Sequence, residues 1–141
     1  MDIELLKNLV DYGVVVLLIF MSFLSLMFFI ERLLFFKKLD IQSYKSQKAL
    51  EIALTKHLTT IGTIASNSPY IGLLGTVLAI MLTFMTMSEG DIVATKIMSS
   101  LALALKATAV GLVVAIISMV FYNILSRYVE VKVTEYETKE V

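Results

Sequence analysis

The stretch YGVVVLLIFMSFLSLMFFI, residues 12–30, contains no charged side chain. At a rise of about 1.5 Å per residue, a helix of this length is about 28 Å long, close to the apolar thickness of a bilayer, about 30 Å. No basic leader precedes it and no small-residue cleavage site follows it. We therefore expect a membrane-spanning helix that is retained, not a signal peptide that is removed.

Two further apolar stretches predict spanning helices. Residues 70–87 are uncharged and follow Pro69, a residue that the start of a helix tolerates. Residues 97–126 are apolar apart from Lys106 and small polar side chains, and they predict a longer helix that projects beyond the bilayer. The predicted fold class is all-α: an integral membrane protein with three transmembrane helices and cytoplasmic helical extensions, forming one domain over residues 1–141.

The composition supports a membrane protein and excludes several other classes. Hydrophobic residues make up 58% of the chain, which is too apolar for a water-soluble domain. The twelve basic and twelve acidic residues balance, so nothing indicates a nucleic-acid partner. Because cysteine is absent and no phosphate-binding loop or nucleophile motif occurs, we expect neither an enzyme nor a cofactor. The single histidine, His57, lacks the companions of a metal site, and we expect it on the surface.

The charge distribution predicts the orientation. The segment 31–69 between the first two spans carries six basic residues against three acidic ones, so by the positive-inside rule it faces the cytoplasm. This places the N-terminus and the loop 88–96 outside, in the periplasm, and the C-terminus inside. The tail 127–141 contains no helix breaker and predicts a solvated helical extension, and the segment 43–57 likewise predicts a cytoplasmic helix.

Small and hydroxylated residues recur every three or four positions on the second and third spans, so each helix carries them on one face. They are Gly72, Gly75, Thr76, Ala79, Thr83 and Thr86 on the second span, and Ser100, Ala104, Thr108, Gly111, Ala115 and Ser118 on the third. Such stripes are typical of close helix packing in membranes, and equally of a wall lining water or a partner. Thr76 and Thr108 are the candidates for lining a proton pathway, which they would line without titrating.

None of the three spans contains Asp, Glu or His, the groups that proton-coupled membrane proteins usually bury. If protons cross here, another chain supplies the group that carries them. A self-sufficient small transporter is disfavoured for the same reason.

One charged residue lies within a span, and a pair of charged residues lies at the end of another. Lys106 is the only charge within a span, and it lies about 200° around the helix from Thr108, on the face of Leu103. In a structural role, Lys106 extends toward a lipid headgroup or pairs at a subunit contact. In a functional role, it shapes the electrostatics of a pore or pairs with a partner's carboxylate. Glu31 and Arg32, at the end of the first span, predict an interfacial anchor or a local ion pair.

Two runs resemble a known family. NSPYIGLLGTV, residues 67–77, and ALKATAVGLVVAI, residues 104–116, followed by FYN at 121–123, resemble the ExbB/TolQ/MotA proton-channel family, and ExbB most closely. The resemblance implies a homopentameric ring around a pore that holds the single spans of an ExbD-like dimer, whose aspartate carries the proton. It also implies that Thr76 and Thr108 match the family's pore-lining threonines.

The implied function is that of a proton-channel and stator subunit in the bacterial inner membrane. Proton flow would energise a TonB-like protein that acts in uptake across the outer membrane, with membrane lipid around the ring. Many ExbB-like chains carry a glutamate five positions before the threonine of the third span, where this chain has Leu103, so no charge-linked role carries over. The alternatives are a TolQ-type subunit of the Tol-Pal envelope system and a passive membrane scaffold.

Overall fold

The computed structural model describes residues 2–87 and 94–140 and shows four α-helices there. They are α1 (Ile3–Lys37), α2 (Gln47–Leu54), α3 (Leu58–Met87) and α4 (Ala94–Glu140), with a short 3-10 turn at Ile41–Ser43. Helices α1, α3 and α4 are long and apolar enough to cross a membrane. The all-α class and the three spanning helices are thereby confirmed. Most of the predicted outer loop, residues 88–93, lies outside the described residues.

The three long helices pack side by side. Helix α1 runs parallel to α4, because the stacked ring pairs Phe29–Phe121 and Phe36–Tyr128 follow each other in the same chain direction. Helix α3 runs antiparallel to α4, since Gly62 faces Tyr122 whereas the later Gly72 approaches residues 107–111. Of the helix pairs, α3 and α4 share the most extensive interface.

Two apolar clusters hold this arrangement together. The smaller one lies at the level of the first span and joins Leu18 of α1 to Ile64 of α3 and Val114 of α4. In the larger one, the 3-10 turn and α2 pack against the end of α1, the start of α3 and the C-terminal half of α4. It comprises Phe36, Ile41, Leu50, Leu54, Leu58, Ile61, Leu125, Val129 and Tyr136. Because burial of apolar surface is the main stabilising term, the segment beyond the first span forms a packed core of its own.

The predicted start of the second helix at Pro69 is wrong, because α3 begins at Leu58 and Pro69 lies inside it. A proline inside a helix removes a backbone donor, but membrane helices tolerate it when nearby polar side chains bond the backbone. Here the three residues before the proline each donate to a carbonyl four residues earlier: Ser66 to Gly62, Asn67 to Thr63 and Ser68 to Ile64.

The segment between the first two spans also differs from the prediction. Of residues 43–57, only Gln47–Leu54 is α-helical, with the Ser46 side chain accepting the Ala49 amide as its N-cap. His57 adopts a φ of 71° between α2 and α3, and its ring stacks on Phe28 at a centroid distance of 4.2 Å. His57 is therefore partly buried but keeps some exposure, which does not contradict its expected place at the surface. The predicted helical tail is confirmed, because α4 continues without interruption to Glu140.

Candidate functional site at the contact of α3 and α4

Glycines set how closely α3 and α4 approach. A Cβ added to Gly72 would lie 2.6 Å from the Ala107 carbonyl oxygen, and one added to Gly111 would lie 2.6 Å from the Ser68 carbonyl oxygen. Both distances are far below van der Waals contact, so only glycine fits. All six positions predicted to pack helices are buried: Gly72, Gly75, Ala79, Ala104, Gly111 and Ala115. Gly75 packs against Val14, so this residue brings α1 against α3.

Thr76 and Thr108 meet within this interface. The Thr76 hydroxyl donates to the Ala104 carbonyl oxygen at 2.8 Å, and the two threonine Oγ1 atoms lie 2.5 Å apart. Each hydroxyl has one proton, so when Thr76 donates to Ala104, Thr108 must donate to Thr76. The result is a directed chain of hydrogen bonds from Thr108 through Thr76 to the backbone of α4.

The two threonines differ in accessibility. Thr76 is 6% exposed, whereas Thr108 is half-buried. The Thr108 oxygen keeps lone pairs that can accept a further hydrogen bond. Thr83 is buried and bonds only within α3, and Thr86 is exposed, so these members of the stripe do not join the pair.

Lys106 lies away from the threonines, in an open cleft of about 510 Å³ near the starts of α1 and α4 and the end of α3. Leu103 lines the same cleft, in agreement with the predicted shared face. The charged residues lining the cleft balance, with Asp2, Glu4 and Asp11 against Lys7, Lys96 and Lys106. Within residues 2–87 and 94–140, no three His, Cys, Asp or Glu residues are grouped as metal ligands.

Arg32 ties α1 to α2. Its side chain is 2% exposed, and its Nε and Nη2 bond the two carboxylate oxygens of Glu31 at 2.6 and 2.7 Å, which confirms the predicted local ion pair. Its Nη1 donates to the Ala53 carbonyl oxygen at 2.8 Å. The sequence could not indicate this second bond, because it depends on α2 folding back onto α1. Glu31 follows the uncharged span. Its hydrogen bonds to the Arg32 guanidinium hold its pKa below the usual value.

Comparisons with known proteins agree with this architecture. The model of the MotA/TolQ/ExbB proton channel family matches residues 28–138. The biopolymer transport protein ExbB of Aquifex aeolicus is 53% identical over 135 residues, which cover 95% of this chain and 91% of that protein. The protein of the same name from Helicobacter pylori is 49% identical over 127 residues, covering 89% and 88%. The Tol-Pal system protein TolQ of Haemophilus influenzae is 37% identical over 89 residues, covering 57% and 39%.

Proposed function

The chain belongs to the MotA/TolQ/ExbB proton channel family, and from this premise we propose that it is the ExbB-type channel and stator subunit of an inner-membrane motor. The motor uses the proton motive force to energise TonB-dependent uptake across the outer membrane. Likeness to ExbB-named relatives over nearly their whole length supports this role over a TolQ-type role, since the TolQ relative matches only 57% of the chain.

The observation that carries the proposal is the Thr76–Thr108 pair in spans without any titratable acid or imidazole. A hydroxyl pair orders water and solvates a neighbouring carboxyl group, but it does not release a proton at physiological pH. The proton carrier must therefore come from another chain. An aspartate on the single span of an ExbD-like partner, placed against the half-buried Thr108, meets this requirement.

The surface of the chain supports an assembly. Large apolar side chains remain exposed along α3 and α4, including Leu74, Val77, Phe84, Val113 and Ile116. In a membrane such side chains face lipid or neighbouring subunits. We propose a pentamer of this chain around the partner's spans, with the basic segment 31–69 on the cytoplasmic side and the N-terminus in the periplasm.

The test is proton flux into liposomes under an imposed potential. The chain alone is compared with the chain co-purified with its single-span, aspartate-bearing partner. We expect flux only from the complex, because only the complex contains the carrier. Equal flux from both would indicate an autonomous transporter, and a verified complex without flux would indicate a scaffold.

A further inference from the structure

Two hydroxyl groups in the membrane core lack a hydrogen-bond partner among the described residues. They belong to Ser25 of α1 and Ser118 of α4, and each residue is 1% exposed. A buried polar group is destabilising unless it forms a hydrogen bond, so nearly all such groups in folded proteins bond protein or ordered water. The two serines therefore point to a ligand that bonds them.

The packing of α1 on α4 brings these serines to the same level. On the outer side of Ser25, Leu18 shares a buried cluster with Val114. On its cytoplasmic side, Phe29 stacks on Phe121. Ser25 lies between Leu18 and Phe29, and Ser118 lies between Val114 and Phe121. The buried positions 18, 25 and 32 of α1 also repeat with the same spacing as the buried positions 111, 118 and 125 of α4.

Helix α3 adds a third polar group at this level. Gly111 approaches Ser68 and Gly62 faces Tyr122, so the part of α3 beside Ser118 contains Ala65, which is 3% exposed. Proline has no backbone N–H, and Pro69 therefore leaves the Ala65 carbonyl without its normal helical donor four residues on. Three small residues thus bring two hydroxyls and one carbonyl into a single layer of the core.

We propose that one buried water molecule binds in this serine layer, formed by Ser25, Ala65 and Ser118. The water donates to the Ala65 carbonyl and to one serine oxygen, and it accepts a hydrogen bond from the other serine. Buried waters in proteins typically make about three such bonds. The site lies inside one subunit. Its water supplies the donor to the Ala65 carbonyl that Pro69 lacks, so it stabilises α3 at the point where this backbone hydrogen bond is missing.

A double-mutant cycle on the complex with its partner tests this site. Ser25→Ala and Ser118→Ala are compared singly and together by the midpoint of thermal unfolding in one detergent. We expect each single change to lower the midpoint by about 2 to 6 °C. The double change lowers it by less than the sum, because both residues act through the same water. Ser22→Ala, at a half-buried position of the same helix, is the matched control and leaves the midpoint unchanged.

Two other results would overturn the site. Additive shifts near zero would mean that each hydroxyl bonds a carbonyl of its own helix, and a higher midpoint in both single variants would mean that the hydroxyls have no ligand. A second measurement is a structure of the complex at a resolution that shows ordered water. We expect density about 2.7 to 3.2 Å from both serine oxygens, and its absence there would exclude the water.

Discussion

Thr76 and Thr108 hold different positions in one hydrogen-bonded chain. Thr76 is buried and fixed by the Ala104 carbonyl, so it orients its neighbour. Thr108 is half-buried and keeps acceptor capacity, so in the proposed channel it is the hydroxyl that would meet water or the partner's carboxyl group. This division makes Thr108 the residue whose loss should affect conduction most directly.

Replacing Thr108 by valine keeps the size of the side chain and removes the hydroxyl. We expect proton flux through the partnered complex to fall by about tenfold, the factor that the loss of one hydrogen bond worth about 1.4 kcal/mol would produce. The measurement is liposome flux under an imposed potential, with complex formation verified for each sample.

Two variants serve as controls for that change. Thr108→Ser keeps the hydroxyl and should retain most of the flux. Thr83→Val removes a buried hydroxyl that bonds only the Ala79 carbonyl of its own helix, and it should leave flux unchanged. Wild-type flux in Thr108→Val would instead favour a stripe that serves packing alone.

At the scale of the helices, the close approach of α3 to α4 depends on glycine. Gly72→Ala places a methyl group 2.6 Å from a backbone oxygen, and backbone cannot move aside as a flexible side chain can. We expect this overpacking to destabilise the protein by about 1 to 3 kcal/mol despite the better helix propensity of alanine. Thermal unfolding of the purified complex measures the effect.

Gly13 provides the matched control, because nothing lies within 4 Å of a Cβ added there. Gly13→Ala should leave stability unchanged or raise it by up to about 1 kcal/mol, since it only reduces the freedom of the unfolded chain. If both variants behaved alike, close packing at Gly72 would not be what limits the α3–α4 distance.

The bond from Arg32 to Ala53 also acts between elements. Arg32→Met would leave the Ala53 carbonyl and the Glu31 carboxylate unpaired, and we expect a loss of about 1 to 3 kcal/mol, reduced because Glu31 is partly exposed. The released segment 38–57 should be cleaved faster by an added protease.

The control is Arg127→Met, which breaks an exposed pair with Glu130 and should change neither stability nor cleavage. Equal cleavage of the two variants would contradict the prediction.

The elements differ in how far the sequence reveals them. Uncharged runs as long as a bilayer is thick reveal spanning helices, because apolar length is the constraint that lipid imposes. Pro69 misleads, because a membrane helix also tolerates proline in its interior, and the neighbouring bond from Ser68 to the Ile64 carbonyl exists only once the helix is formed. The threonines could be singled out from their spacing, but their mutual hydrogen bond required the register of α3 against α4. Spacing alone does not indicate the proposed serine layer, because Ser25 belongs to neither stripe.

At the scale of the whole molecule, the orientation in the membrane is directly testable, because the chain contains no cysteine and each introduced one is unique. We expect a membrane-impermeant maleimide added to the periplasmic side to label Asp2→Cys and not Lys139→Cys, both at exposed positions. In inverted vesicles the pattern reverses. The parent chain gives the background, and labelling of Lys139→Cys from the periplasmic side would refute the orientation derived from the basic segment.

Helix α4 passes without a break from the level of the threonine pair into the C-terminal tail. The distance along the helix from Thr108 to Lys139 is about 46 Å at 1.5 Å per residue. If α4 moves as one rigid helix, a tilt of about 10° at the level of Thr108 displaces its far end by about 8 Å. In the proposed motor, a small movement of α4 beside the partner's span would thus become a larger displacement at the C-terminal end of the helix.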